Sequence, residues 1–347
     1  MAKVSYDRYG LTANPFRDLA SESLEDVEIF HVRLQVDDVL RGVKEEVLEK
    51  ENRAVIAITG PLGSGKTQRL RLAEAEGKER GAFTALVDVP ARSKLAVKAI
   101  ADALSKASNV GGFSAALGGP AWLRELHGVA AGKSAEWDAG RAGKAIAQAL
   151  NEHAPAFLLL NDLHNLSPAA EVQPIARVLQ AVADAIRPGV LVMFACYPSF
   201  FAALTQAYPA LGSRINRTLE LPVISDDEAG LLLAKKLLAK RLVEEMDPLY
   251  PFDREAVEAM NQAAGGNPRR LLETADRVME AAVAQRVYRI DGPFARATLE
   301  SLAPPAPAVR PVVPTAPGSG GPGAARAPPP VAVVAAAPLR PVVPKDP

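Results

Sequence analysis

The chain has 347 residues, enough for about two domains, and 40 Lys and Arg balance 40 Asp and Glu to a formal net charge of zero. A single cysteine, Cys196, excludes a disulfide scaffold and a cysteine metal cluster, and the four histidines show no metal-ligand spacing. No apolar run reaches the roughly 20 residues of a membrane span and the charged N-terminus lacks a signal-peptide core, so a soluble, cytoplasmic protein is expected.

Val36, Val39, Leu40, Val43 and Val47 form one apolar stripe and predict a helix. The first strand follows at 55–59. Gly60-Pro61-Leu62-Gly63-Ser64-Gly65-Lys66-Thr67 then fits G-x-x-x-x-G-K-[ST] without a mismatch. It lies between an apolar strand and a helical pattern, as a phosphate-binding loop must. Glycines let backbone N–H groups face phosphate oxygens, and the helix N-terminus adds partial positive charge. The expected phosphate site is Gly60, Pro61, Gly63, Ser64, Gly65, Lys66, Thr67 and Gln68. Lys66 would reach the β- and γ-phosphates, and the Thr67 hydroxyl would coordinate Mg²⁺.

Further strands are predicted at 83–89, 157–160, 190–196 and 218–221, alternating with helical stripes. Leu95, Ile100 and Leu104 form one such stripe; Ile175, Val178, Leu179, Val182 and Ile186 form another. Continuous apolar strands alternating with helices predict an α/β fold, a parallel sheet with helices on both faces. Residues 109–140 carry seven glycines, six of them in pairs or near turns, and read as an insertion, a long loop with a short helix near Trp122–Leu126.

The third strand ends in Asn161-Asp162, where a P-loop protein needs one group to order Mg²⁺ and one to orient the attacking water. The usual pattern is two acids. Two registers are open. In one, Asp162 activates water beside a neutral Asn161. In the other, Asp162 holds the metal–water shell and no acidic base follows. Both predict weaker hydrolysis than a full acidic pair.

After Pro222 the strands stop. Ser225-Asp226-Asp227-Glu228 has capping-box spacing, and apolar helices follow to about Leu302. The expected organisation is a nucleotide-binding domain over 1–222, a small all-helical lid over 223–303 and a disordered Pro-rich tail over 304–347. The tail holds 14 of the 29 prolines and a net charge of +3, which leaves the rest at −3. It repeats Arg-Pro-Val-Val-Pro at 310 and 340, an Arg-flanked P-x-x-P spacing suited to a protein partner.

Together these features resemble the AAA+ ATPases, most nearly the origin-recognition-type and ExeA-like branch. Tyr9-Gly10-Leu11-Thr12-Ala13-Asn14-Pro15-Phe16 looks like the box ahead of the nucleotide domain that helps enclose adenine. The strand 190–196 with Tyr197-Pro198 takes the sensor 1 place. No Asn, Thr or Ser stands there, so Cys196 or Tyr197 must serve or the sensor is absent. Gly212-Ser213-Arg214-Ile215 resembles the arginine-finger element, with Arg217 as the fallback. Gly265-Gly266-Asn267-Pro268-Arg269-Arg270-Leu271 looks like the sensor 2 motif.

The resemblance implies an oligomeric, ATP-driven switch acting on a macromolecular client. Arg214 would enter a neighbour's site, and Arg269 would couple nucleotide state to lid angle. A scaffold with weak turnover is the alternative that Asn161 suggests. DNA binding is a third reading, with Arg69, Arg71, Lys78 and Arg80 as the candidate basic patch. Near-neutral charge disfavours it, and Pro-rich sequence stands where such relatives append a winged helix. No Asn-Lys-x-Asp string is present to read guanine.

Overall fold

Helix α1 (Gln35–Leu48) leads into strand β1 (Ala54–Thr59), and helix α2 (Lys66–Glu79) leads into β2 (Phe83–Asp88). Helices α3 (Ser93–Ala107), α4 (Ala121–Ala131) and α5 (Ala139–Glu152) precede β3 (Ala156–Asn161). Helix α6 (Ala169–Ala185), strand β4 (Val190–Cys196), helices α7 (Pro198–Ala207) and α8 (Pro209–Gly212) and strand β5 (Arg217–Glu220) complete the layer. This computed structural model describes residues 6–17, 31–108, 120–131, 138–166, 169–242 and 247–302. They fall within one compact unit, Met1–Ala303. The expected tail and its two Arg-Pro-Val-Val-Pro strings lie outside the described residues. So do Gly111, Gly112, Gly118, Gly119 and Gly132 of the expected insertion.

The five strands pair in parallel in the order β2-β3-β4-β1-β5. Each expected strand is present, displaced by no more than one residue at either end. Backbone pairing sets the true ends, which is why Ala54 and Asn161 join strands that apolar content alone would start or stop one residue away.

Side chains along each central strand alternate between two cores. Val55, Ala57, Leu158, Leu160, Val192 and Phe194 face one side. There they meet Ile100 and Leu104 of α3, Ile146 and Leu150 of α5 and Ile175 and Leu179 of α6. Ile56, Ile58, Phe157, Leu159, Leu191 and Met193 face the other, against Leu40, Val43 and Val47 of α1 and Leu70 of α2. With both faces covered, these strands read as unbroken apolar runs.

One expectation needs correction, and the helix expected near Trp122–Leu126 is present but longer. Leu95 is half exposed, because the buried face of α3 runs through Ala96, Ile100 and Leu104 at the helical repeat. Within the expected loop 109–140, α4 is a full helix whose Trp122, Leu123 and Leu126 are buried in the first core.

Beyond β5, helices α9 (Asp226–Leu238), α10 (Arg254–Ala264), α11 (Pro268–Gln285) and α12 (Gly292–Leu302) build a separate apolar core. The Ser225 hydroxyl accepts from the Glu228 backbone N–H, and the Glu228 carboxylate accepts from Ser225 N–H, forming the expected capping box. Tyr9, Leu11 and Phe16 of the N-terminal box are buried in this helical core rather than against the sheet. Thr12 N–H donates to Lys240 O at 2.9 Å, and Asn14 Nδ2 donates to Asp276 Oδ1 at 2.7 Å.

Helices α5 and α6 approach so closely at Gly143 that an added Cβ would lie 2.5 Å from Val178 O and 2.6 Å from Ala181 Cβ. Gly143→Ala is therefore expected to lower stability by about 1–3 kcal/mol through overpacking, outweighing the roughly 1 kcal/mol gain in helix propensity. Urea unfolding of the two proteins measures the sign, and a stabilised variant would refute the close approach.

Candidate nucleotide site

Because all strands run the same way, their carboxyl ends meet at one edge. Thr59 pairs in register with Cys196 and Glu220, and Asp88 pairs with Asn161. The Gly60–Thr67 segment leaves this edge from β1 and turns directly into α2. Gly63 has φ +80° and Gly65 φ +91°, left-handed conformations that explain glycine at both places. At Gly60 an added Cβ would lie 2.6 Å from Ser64 Oγ. Ser64 Oγ in turn donates to Pro61 O at 2.9 Å and tightens the loop.

Lys66, Thr67 and Gln68 open α2. Lys66 is 6 % exposed, and its Nζ donates to Gly60 O at 2.8 Å and Pro61 O at 2.7 Å. Burial pulls its pKa below the ordinary lysine value, while the Asp162 carboxylate opposes that shift. The Tyr197 ring centroid lies 5.0 Å from the same Nζ, within cation–π range. The His164 ring packs on Tyr197 with centroids 3.7 Å apart. Burial lowers the His164 pKa, against a raising effect from Asp162.

At the sensor 1 place the two candidates separate. Tyr197 faces the lysine. Cys196 is buried in the first core, and burial pushes its thiol up to about 12. A thiol in that state is an inert apolar side chain.

Asn161 ends β3 and is 4 % exposed. Thr67 Oγ1 donates to its Oδ1 at 2.9 Å. Its Nδ2 donates to Asp88 Oδ1 at 2.8 Å and to Asp162 Oδ2 at 3.2 Å. Asp162 follows with φ +54°, a left-handed conformation that Asp tolerates better than most residues. That turn ends the strand and leaves the carboxylate at the sheet edge. Asn161, not Asp162, therefore touches the Thr67 hydroxyl. Asp88 was not singled out in the sequence; only the pairing of β2 with β3 brings it here.

Magnesium prefers hard oxygen donors and keeps several waters. The Thr67 hydroxyl and the Asp162 and Asp88 carboxylates form such a donor set, and the glycine cradle with buried Lys66 suits a phosphate chain. The residues present fit Mg²⁺–nucleotide.

The second side of the site comes from α11. Gly265 and Gly266 have φ +61° and +66°, which lets the chain reverse between α10 and α11. Asn267 Oδ1 then accepts from Arg270 N–H at 3.1 Å as the N-cap, and Pro268 takes the first helical position. The same Asn267 donates Nδ2 to Leu62 O at 2.8 Å, and Arg269 N–H approaches Gly63 O at 3.4 Å. An added Cβ on Gly63 would lie 2.5 Å from Arg269 Cβ. The Arg269 side chain is half exposed, with Nε 3.4 Å from Glu273 Oε1. A cleft of about 780 Å³ is lined by Pro61 and Leu62 together with Val223, Gly266 and Arg270. That volume is within the range of small-ligand sites.

Arg214 and Arg217 stand before and at the start of β5, on the amino edge of the sheet, opposite the phosphate loop. Arg214 Nε donates to Asp184 Oδ1 of α6 at 2.5 Å. Neither arginine belongs to the loop's own edge. The expected basic patch also changes. Arg69 is 4 % exposed and paired with Asp37 of α1 at 2.9 Å, and Lys78 pairs with Glu74 at 2.6 Å. Burial raises the Asp37 pKa, but His31 and Arg69 together carry it below the ordinary carboxylate value.

No family profile matches the sequence. An uncharacterized HTH-type transcriptional regulator from Methanocaldococcus jannaschii is 25 % identical over 114 residues, 33 % of this chain and 28 % of that protein. The chain thus spans little more than a quarter of the curated relative it matches. Among solved structures, Cdc6p from Pyrobaculum aerophilum superposes with a TM-score of 0.54 at 15 % identity, over 84 % of this chain and 71 % of that one. The Aeropyrum pernix ORC1 protein, solved in complex with DNA, gives 0.51 at 16 % identity, over 82 % and 69 %. The Aeropyrum pernix ORC2 protein, solved as ADPNP–ADP complexes, gives 0.50 at 15 % identity, over 79 % and 71 %. The chain has the AAA+ ATPase fold, related to that of the ORC and Cdc6 proteins.

Asn267→Ala removes both the cap of α11 and its bond to the loop. A loss of about 1–2 kcal/mol is expected in urea unfolding, and Asn267→Ser, which keeps a capping oxygen, should recover part of it. Equal losses for both would mean that the cap contributes nothing.

Proposed function

We propose that the protein binds ATP–Mg²⁺ at Gly60–Thr67 and acts as a nucleotide-dependent oligomeric switch on a macromolecular client. The observation that carries this reading is the contact between the phosphate loop and the start of α11. Asn267 and Arg269 touch Leu62 and Gly63 through backbone atoms of the loop itself. A ligand that rearranges those loop atoms must also disturb the lid, which is the differential contact a switch requires.

Each residue has a part in this reading. Gly60, Gly63, Ser64 and Gly65 present backbone N–H groups, and Pro61 shapes the turn. Lys66 exchanges its two loop carbonyls for phosphate oxygens. Thr67 offers its hydroxyl to Mg²⁺, which when bound neutralises charge on the phosphates. Gln68 stands behind them in the first turn of α2. Asp162 orients the attacking water, and Asn161 fixes Thr67 and Asp162 relative to each other. The contact between Asn161 and Thr67 supports this register over the one in which Asp162 holds the metal shell. Arg269 follows the lid toward the γ-phosphate. Arg214 gives up Asp184 and completes a neighbour's site, and its place on the amino edge supports action in trans.

A second reading is a scaffold with little turnover. The neutral Asn161 at the sheet edge favours it, with the tail recruiting a protein partner. DNA contact draws support only from the ORC1 protein solved with DNA and the regulator similarity, and buried Arg69 weakens the basic patch.

Lys66→Ala should weaken ATP binding by at least about tenfold in a calorimetric titration, since a charge-assisted phosphate contact is lost. Asp162→Asn should keep ATP affinity while turnover falls by about 100-fold or more, as expected for loss of a general base. Unchanged turnover removes Asp162 from the chemistry. Sizing the protein with and without ATP tests assembly, and a wild type that binds no ATP ends the switch reading.

A further inference from the structure

Both amide hydrogens of Asn161 are committed. Carboxylates only accept hydrogen bonds, so its NH₂ must face Asp88 and Asp162 and its oxygen must face Thr67. The same side chain therefore joins the helix that follows the phosphate loop to two acids on two different strand ends. We infer that Asp88, at the end of β2, supplies to the Mg²⁺ water shell the negative charge that Asn161 does not carry. This rests on the nucleotide reading above and goes beyond it, because it moves a metal-ordering residue one strand outward.

Three observations carry the inference. First, Asp88 and Asn161 are register partners, so Asp88 is held to the carboxyl edge by the sheet itself and not by a loop. Second, charge bookkeeping closes. A full acidic pair after β3 would supply two carboxylates; here Asp88 and Asp162 supply two, joined through Asn161, which alone touches Thr67. Third, the residue types are mutually dependent. An aspartate at 161 would set a third carboxylate 2.8 Å from one acid and 3.2 Å from the other, so that like-charge repulsion would drive one of the three to take up a proton. Neutral Asn161 is compatible with Asp88, and Asp88 makes neutral Asn161 compatible with a divalent cation. Asp88 is exposed, so it acts through ordered water, the way Mg²⁺ usually meets a protein. It is a positioning residue and not a catalytic one.

The test compares ATP affinity in Mg²⁺ with affinity in EDTA, using the full chain and calorimetry. The ratio is the magnesium enhancement. Asp88→Asn should lower that ratio about 10-fold or more, as outer-shell substitutions do, while affinity in EDTA stays the same. Asp88→Asn combined with Asn161→Asp returns one carboxylate to the pair and should recover most of the ratio. Far-UV dichroism and the urea midpoint of Asp88→Asn confirm folding, which substitution of an exposed residue should preserve. A full enhancement in Asp88→Asn overturns the inference alone. Equal weakening in Mg²⁺ and EDTA also overturns it, since Asp88 would then act on the loop and not on the metal. A wild type that binds no ATP overturns the nucleotide reading and this inference with it.

Discussion

Parallel pairing of five strands gives this protein one edge at which every strand ends. Thr59, Asp88, Asn161, Cys196 and Glu220 are spread over more than 160 residues of chain, yet registration brings them to one edge, Thr59, Cys196 and Glu220 in one row and Asp88 with Asn161 one residue short of it. The phosphate loop, Asp162 and Tyr197 each follow one of those ends. Hydrogen bonding between backbones does this without regard to side chains. The edge can therefore hold polar groups that the apolar layers above and below would reject.

That edge still has to satisfy what it buries. Lys66 loses most of its hydration and is answered by two loop carbonyls and the face of Tyr197. Asn161 loses its own and is answered by Thr67 and two acids. Arg69, one turn beyond Lys66, is answered by Asp37 of α1, which His31 also approaches at 3.4 Å. Lys235 of α9 donates to the His31 carbonyl at 2.6 Å. A continuous set of polar contacts thus runs from the helix behind the loop to the helical core.

The second link between the two cores is shorter. Gly265-Gly266-Asn267-Pro268 is a stop, a reversal, a cap and a start in four residues, and each residue type follows from its backbone conformation. The cap residue has a spare amide hydrogen, and it is spent on Leu62 O of the phosphate loop. Local helix chemistry and contact between the loop and the helical core are in this way the work of one side chain. The N-terminal box reinforces the arrangement from the far side, because Tyr9 and Phe16 are packed among the same helices as Leu271 and Met279.

Much of this was legible in the amino-acid order. Apolar, β-rich runs marked the strands, and the central β1, β3 and β4 are buried throughout because the sheet is covered there on both faces. The glycine spacing of 60–65 marked the loop, because left-handed backbone tolerates little else. Ser225 and Asn267 marked helix starts through the hydrogen bonds their side chains must make. Other features were illegible because they depend on residues distant in sequence. Leu95 carries the right chemistry for a buried stripe and lies off it by its angle on the helix. Arg69 looks like a surface cation until Asp37 is folded against it. The choice between Cys196 and Tyr197 was decided by which of two adjacent side chains points into the core. Asp88 has no local signal, since only the pairing of β2 with β3 sets it beside Asn161. The sequence by itself determined where the chain is extended, where it coils and where it wraps into the glycine-rich Gly60–Thr67 loop. Those depend on each residue and its near neighbours. Only the tertiary structure decided which charges share the edge, because strand order and register are properties of the whole sheet.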